Sequence, residues 1–383
     1  MMPKMQKILY VVNNADFLIS HRLPLLKAAH EQGYAVHVAC PATSTIQKLK
    51  EEGVTHHAWR LSRKSINPVN EMRTIRNLYQ IYQQVKPDLA HHLTIKPIIY
   101  GAIAARWAHT PAVINAVCGM GSTYISNSVK YRVLRQLTNQ GFSFAGKQNR
   151  SRFIFQNQDD QDYFIKNKIT QNEKTIIIPG SGVCMQDFQP LPMPDRKPYI
   201  IVLASRLLRE KGVVEFVEAA RSLQTEKIAR FVLVGDIDSG NPSTLSHAQI
   251  NAWVKSGIVE WWGFKTDIRE VFRESHIICL PSYREGMPRV LIEAAACARP
   301  IITTHTTGCK ELVCEGENGY LVPIKNAQAL AEAFKKILQK KPNDLWNLGL
   351  ASRRLVEEKF SLEKVIAETM AVYQELLKST DGR

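Results

Sequence analysis

HIICLPSYREGMPRVLIEAAACARPIITT, residues 276–304, is the stretch whose pattern decides the fold. Ile277 to Leu280 is a short unbroken apolar run, the signature of a strand covered on both faces. Pro281 to Met287 follows as a loop. Pro288 stands at the expected first helical position, where a missing N–H costs nothing. The helix then yields to a second apolar run from Pro300 to Thr304. Strand, helix and strand in such close succession make a βα unit of a parallel sheet.

The same alternation extends in both directions. YIIVLAS (199–205), RFVLVG (230–235) and GIVEWW (257–262) precede the segment as further strands. An earlier series reads KILYVV (7–12), AVHVAC (35–40), DLAHHL (88–93), AVINAV (112–117) and RFIFQ (152–156), with helical patterns between. QPLPMPDRKP (189–198) separates the two series with four prolines in ten residues and predicts an extended linker. The expected fold is therefore α/β, with two doubly wound Rossmann-like domains, 1–190 and 191–383. Open sheets of this kind bind ligands beyond the carboxyl ends of their strands, so the two domains are expected to face each other across an interdomain cleft. In the terminal helix 361–378, Leu362, Ile366, Met370, Tyr373 and Leu377 form an amphipathic stripe, expected to pack back towards the N-terminal domain.

Composition narrows the class. With 383 residues, 45% of them hydrophobic and 22% charged, the chain suits a two-domain globular protein and excludes disorder, collagen and coiled coil. Its seven cysteines contain no C-x-x-C pair and read as reduced thiols. Ile8 to Val12 is too short for a signal-peptide core, which predicts a cytoplasmic protein. Trp107 to Val129 carries no charge, yet Pro111, Asn115, Gly119, Gly121, Ser122, Asn127 and Ser128 interrupt it, so a buried strand and glycine loop are expected rather than a membrane span. The net charge is +15 and uneven: residues 1–190 hold 23 Lys+Arg against 11 Asp+Glu, residues 191–383 hold 27 against 24. A basic first half favours anionic lipid or a phosphorylated substrate. Its cations are scattered in pairs such as Arg63–Lys64, without the basic runs and aromatic signature of an RNA module, which speaks against nucleic acid.

Two segments of the second half can carry chemistry. Glu285 lies on the loop after the 277–280 strand, and Glu293 about a turn and a half into the helix. Free backbone N–H groups at a helix start favour an anion, and carboxylates on either side of it can accept from hydroxyls. A diphosphate between two sugars fits that arrangement. The plainer alternative is a Glu complementing the helix dipole and another on a solvated face. Against it, Val290, Leu291, Ile292 and Ala294 to Ala296 leave Glu293 no solvated face, so its carboxylate should have a partner. In VLASRLLREKGVVEFVEAA (202–220), Arg206 and Lys211 sit between a strand's end and a helix that starts after Gly212. There they can bind phosphate, Arg through two oxygens at once and Lys as a point charge; surface cations on a basic protein are the alternative. Asp236-Ile237-Asp238 is a D-x-D that could hold a metal, but it reads better as a polar loop, and no metal or other cofactor is expected.

The pattern SR…KG followed by EGMPRVLIE, with its E-x7-E spacing, resembles the retaining family 4 glycosyltransferases of the GT-B fold. The likeness continues through PGSGVCMQDFQP (179–190), FVLVGDID, VEWWGF, CLPSYREG, AACARPIITT, TGCKELV and NGYLVP. HLTIKPIIYG (92–101) and SYREGMPRVL look most like bacterial enzymes that build O-antigen, capsule or protein-linked glycans on undecaprenyl diphosphate. The resemblance implies a UDP-sugar donor and a lipid-linked saccharide acceptor in cell-surface glycan biosynthesis, with the enzyme peripheral on the inner face of the cytoplasmic membrane. It implies that Arg206 and Lys211 neutralise the donor diphosphate, that Glu293 binds ribose hydroxyls, and that Glu285 touches the transferred sugar beside Gly286, Met287 and Pro288. Gly263, Phe264 and Lys265 would lie beside the nucleobase. Arg206, Lys211 and Glu285 are the expected catalytic residues.

The first half departs from the family pattern. VNNADFLISHR (12–22) lacks the relatives' glycine-rich loop, with Asn13 and Asn14 in its place, and Cys118 stands near a position where many relatives carry histidine. Asn14, His21, His92 and Lys96 remain candidates for acceptor binding. His92 ends an expected strand and Lys96 begins the next helix, which favours an anionic group; a satisfied core histidine is the equal alternative. Rival readings are a nucleotide-sugar epimerase of similar two-domain fold, which would need no acceptor, and a nucleic-acid binder. A dinucleotide dehydrogenase is weaker, because no G-x-G-x-x-G follows a strand.

Overall fold

A computed structural model describes residues 5–62, 67–125 and 128–378; Arg63–Lys64 and Asn127, named above, lie outside them. The chain forms two compact units, Met1–Ser181 together with Lys364–Arg383, and Gly182–Glu363.

The first unit contains strands β1 Lys7–Val12, β2 Ala35–Cys40, β3 Thr55–Ala58, β4 Leu89–Leu93, β5 Ala112–Val117, β6 Ser151–Phe155 and β7 Thr175–Ile177, joined by helices α1 Ala15–Glu31, α2 Ile46–Glu51, α3 Pro68–Val85, α4 Ile95–Trp107, α5 Val129–Gly146 and α6 Gln158–Lys166. All neighbouring strands pair in parallel, in the order β3-β2-β1-β4-β5-β6-β7. Strand order reverses between β1 and β4, which opens a crevice at their carboxyl ends. Every residue of β4 and β5 is buried, because helices cover both faces. β3 and β7, which were not anticipated, are short edge strands; THHA is too polar and too brief to stand out as a strand.

The second unit contains β8 Tyr199–Ala204, β9 Ala229–Val234, β10 Glu260–Trp261, β11 Ile277–Leu280, β12 Ile301–Thr304 and β13 Gly319–Val322, with α7 Val213–Ser222, α8 His247–Lys255, α9 Ile268–Glu274, α10 Arg289–Ala296, α11 Ala327–Leu338 and α12 Pro342–Lys359. Its parallel sheet runs β10-β9-β8-β11-β12-β13, with the reversal between β8 and β11. The proline-rich segment 189–198 is not a free linker. Arg299, wholly buried, donates to the carbonyls of Leu191 (2.8 Å) and Pro192 (2.9 Å), and His276 Nε2 lies 3.0 Å from the Pro194 carbonyl, so this segment belongs to the second unit.

The last helix, α13 Leu362–Lys378, starts in the second unit and ends in the first. There Val365, Met370, Val372, Tyr373, Leu376 and Leu377 join the core formed by α1, α2 and the sheet. Tyr373 OH bonds His91 Nδ1 (2.6 Å) and donates to Tyr10 OH (3.0 Å). Among the described residues no helix is long and apolar enough to cross a membrane; the uncharged stretch after Trp107 instead supplies β5 and a short turn at Ser122–Tyr124.

Candidate functional site

The crossover between β8 and β11 gathers the residues of interest. β8 ends at Ala204, and the chain then passes Arg206, makes one tight turn at Arg209–Lys211, and enters α7 through Gly212. Gly212 adopts φ +72°, and a Cβ there would lie 2.1 Å from the Pro281 carbonyl oxygen, so only glycine lets this turn close on the end of β11. A further bond ties the loops together, the Tyr283 N–H donating to the Glu210 carbonyl (2.9 Å), with Ser282 Oγ 3.0 Å from the same oxygen.

Lys211 and Glu285 meet as a result. The Lys211 ammonium pairs with Glu285 Oε1, and the buried Ser282 hydroxyl donates to that same oxygen at 2.6 Å. Both charged side chains are largely enclosed, 18% and 13% exposed. An ammonium has three donors, so pairing with one carboxylate oxygen leaves others for a phosphate. The loop is braced from behind, where the Glu285 N–H donates to the Thr307 carbonyl (3.1 Å). At Gly308, φ +79°, a Cβ would lie 2.6 Å from the carbonyl oxygens of Glu285 and Gly286.

Gly286 and Met287 lead to Pro288, which is not the first helical residue as expected. It is the N-cap of α10, with extended backbone at φ −75° and ψ 102°. Pro288 makes no side-chain cap for this helix, and the N–H groups of a helix's first turn, which lack partners within the helix, suit an anion. Glu293 lies on the second turn, only 8% exposed, and accepts from Arg289 Nε at 2.7 Å. Burial raises its carboxyl above the ordinary value while Arg289 pulls the other way. Arg289 is thus the partner that the apolar surroundings called for; its i, i+4 spacing was the available signal.

Arg206 is not drawn into the Lys211–Glu285 pair. Its side chain is 56% exposed and bonds Asp238 at 2.7 Å. The D-x-D is accounted for in the same way: Asp238 binds Arg206, and Asp236 accepts from the Ile237 N–H at 2.7 Å. Among the described residues no group of three or more His, Cys, Asp or Glu could hold a metal ion. Gly263 follows β10, its carbonyl accepting from the Gly235 N–H (2.8 Å), and leaves Phe264 69% exposed with Lys265 also exposed. Ser282, Asp238 and Thr307 were not anticipated as parts of this site; only Ser282, three residues before Glu285, carried a local hint.

The candidates in the first unit have other occupations. Asn14 caps α1, accepting from the N–H groups of Asp16 (2.7 Å) and Phe17 (3.2 Å). His21 stacks on Phe17, 4.5 Å between ring centres, and its Nδ1 bonds Ser20 Oγ at 2.7 Å. Lys96 is held by Glu71 (3.2 Å) and the Ser62 carbonyl (3.0 Å). Of the two readings open for His92, an acceptor ligand or a satisfied core histidine, its surroundings are those of the second. It is wholly buried, with Tyr82 OH at 2.7 Å from Nε2 and Asn115 Oδ1 at 2.9 Å from Nδ1, and burial lowers its pKa to about 4. It offers no surface to a ligand and serves as a core histidine.

Residues 198–340 match the family model of group 1 glycosyl transferases, and residues 7–149 match the model described as glycosyl transferase 4-like. The chain is similar to the N,N'-diacetylbacillosaminyl-diphospho-undecaprenol alpha-1,3-N-acetylgalactosaminyltransferase of Campylobacter jejuni, 30% identical over 96% of this chain and 98% of that one. It is also similar to the UDP-Gal:alpha-D-GlcNAc-diphosphoundecaprenol alpha-1,3-galactosyltransferase of Escherichia coli, 26% identical over 73% of each. Among solved structures it resembles HepE of Anabaena, crystallised with UDP and glucose, at TM-score 0.76 and 20% identity over 96% of this chain and 99% of that one. At that identity the likeness speaks for the GT-B fold alone.

Proposed function

The chain belongs to the group 1 glycosyltransferases, and from that premise we propose that it transfers a sugar from a UDP-sugar to a saccharide carried on undecaprenyl diphosphate, with retention of anomeric configuration, during cell-surface glycan assembly. The observation that carries this reading is the meeting of Lys211 and Glu285, from two separate βα loops, at the crossover of the second sheet beside the uncapped start of α10.

Negative charge develops on the diphosphate as the sugar leaves. Lys211, Arg206 and the first N–H groups of α10 stabilise it in place of a metal ion, since fixed donors aimed at developing charge lower the barrier most. Arg206 reaches the phosphate while keeping Asp238, since its five donors can serve both. Glu285 holds a hydroxyl of the transferred sugar, while Ser282 and Lys211 fix the carboxylate. Glu293 accepts from the ribose, and Gly263 to Lys265 border the base. The departing phosphate takes the acceptor proton. His21 and Lys96, at the carboxyl edge of the first sheet, contact the acceptor. The enzyme acts at the inner face of the cytoplasmic membrane, drawn there by the basic first unit. Support for the acceptor class comes from the two relatives, whose names specify diphospho-undecaprenol-linked sugars.

The test is to supply UDP-N-acetylgalactosamine or UDP-galactose with and without a diphospho-undecaprenol-linked N-acetylated sugar. An α-linked disaccharide on the lipid, found by mass spectrometry and NMR, is the expected product. Isomerised donor formed without acceptor would establish the epimerase instead.

A further inference from the structure

Helix α5 presents an apolar stripe that nothing among the described residues of the first unit covers. Val129, Val133 and Leu137 are 67%, 58% and 58% exposed, and Leu134 is 39% exposed. At 3.6 residues per turn the first three lie within an arc of about 80°. Its opposite face packs inward through Thr138, Phe142 and Ala145, so the outward stripe is not a core face left loose. Exposed Lys130 and Arg132 flank it on either side.

The charge of the segment that holds the stripe is one-sided, although Lys96 and Arg152 pair with Glu71 and Glu375 from outside it. Residues 89–158 carry eight Lys+Arg and no Asp or Glu, seventy residues in a chain whose overall ratio is 50 to 35. Helix α5 itself has Lys130, Arg132 and Arg135 and no acid. A soluble partner protein of ordinary surface would need acids to match every such cation, whereas an anionic bilayer answers both features at once: acyl chains for the stripe and phosphates for its flanks. Because α5 is the helix that follows β5, its start is on the side of the carboxyl edge of the first sheet, the edge that also holds the loops after β1 and β4. Helix α3 starts at the same edge and adds exposed Val69 (60%) and Met72 (58%) beside exposed Arg73.

We propose that the first two turns of α5 are a docking surface for an anionic lipid bilayer, with Val129, Val133, Leu134 and Leu137 entering the headgroup–acyl boundary and Lys130 and Arg132 resting on lipid phosphates. The proposal rests on the lipid-linked acceptor reading above and names the surface that brings that acceptor's edge of the first unit to the membrane.

Sedimentation of the full chain with phosphatidylglycerol/phosphatidylcholine vesicles, and with phosphatidylcholine alone, tests it. The wild type binds the anionic vesicles at low salt. Val133→Asp/Leu137→Asp lowers the partition coefficient about a hundredfold, and Lys130→Gln/Arg132→Gln about tenfold, the latter difference fading in high salt. Both variants melt like the wild type and turn over a water-soluble, short-chain diphosphate acceptor within about twofold. Wild-type protein that ignores anionic vesicles, or variants that bind them equally well, overturn the proposal. So does a wild-type dimer that the Asp pair splits, seen by light scattering, with vesicle binding unchanged; the stripe is then a contact between copies. A wild type that binds vesicles through α5 yet transfers nothing to the short-chain acceptor would sink the proposed reaction and leave the docking surface standing.

Discussion

At the crossover of the first sheet, between β1 and β4, the polar side chains are tied to their own unit: Asn14 caps a helix, Lys96 is held by Glu71, and His92 is walled in by Tyr82 and Asn115. At the matching crossover of the second sheet, between β8 and β11, Lys211, Ser282 and Glu285 converge, and α10 starts without a cap. The two edges share a topology, so topology alone does not make a site for a diphosphate. What distinguishes them is whether charged groups from separate loops are brought to one place with donors to spare.

The sharpest way to break this contrast is to remove charge at each edge in turn. Glu285→Gln and Lys211→Ala are expected to lower kcat/KM by about a hundredfold to a thousandfold, with the melting temperature within a few degrees of wild type. Lys96→Ala is expected to cost less than about tenfold by the same measurement. Equal losses at the two edges would erase the distinction.

A second test weighs structure against chemistry. His92→Ala removes a wholly buried ring and strands Tyr82 OH and Asn115. Denaturant titration should show about 2–4 kcal/mol of lost stability, with kcat of the folded fraction within about threefold. Gly101→Ala probes the same pocket from outside, since its Cβ would lie 2.5 Å from the His92 ring; a smaller loss, about 1–3 kcal/mol, is expected. A His92 variant that folds normally but fails to turn over acceptor would return this residue to the site.

The smallest effect is in pH. Burial lowers His37 and His92 to about 4 in the first unit and depresses His91 and His57 there too, whereas the second unit has His276, also at about 4. These rings stay neutral in the fold but protonate near 6.5 once unfolded. Their stabilisation is whole above about 6.5 and is lost as pH falls from there towards 4. Amide exchange followed from pH 7.5 to 5 should therefore show the first unit weakening more than the second.

The parallel sheets were legible because buried runs such as YIIVLA and AVINAV are unbroken, whereas the strand order that sets both crossovers comes from the structure. The edge strands β3, β7 and β13 were not legible, since half-exposed THHA, three-residue TII and four-residue GYLV carry little pattern. In the second unit the spacing of Glu285 and Glu293 along one loop and helix is local and readable. That Asp238 would take Arg206, or that Thr307 would brace Glu285, depends on loops brought together only by the fold. In the first unit, residue type left His92 open: a histidine at a strand's end looks the same in sequence whether it faces solvent or Tyr82.

Titration calorimetry of UDP against the wild type, Lys211→Ala and Lys96→Ala addresses the central claim most directly. Binding is expected to be at least about tenfold weaker for Lys211→Ala and unchanged for Lys96→Ala, about 1.4 kcal/mol apart. UDP binding that is indifferent to Lys211 would contradict it.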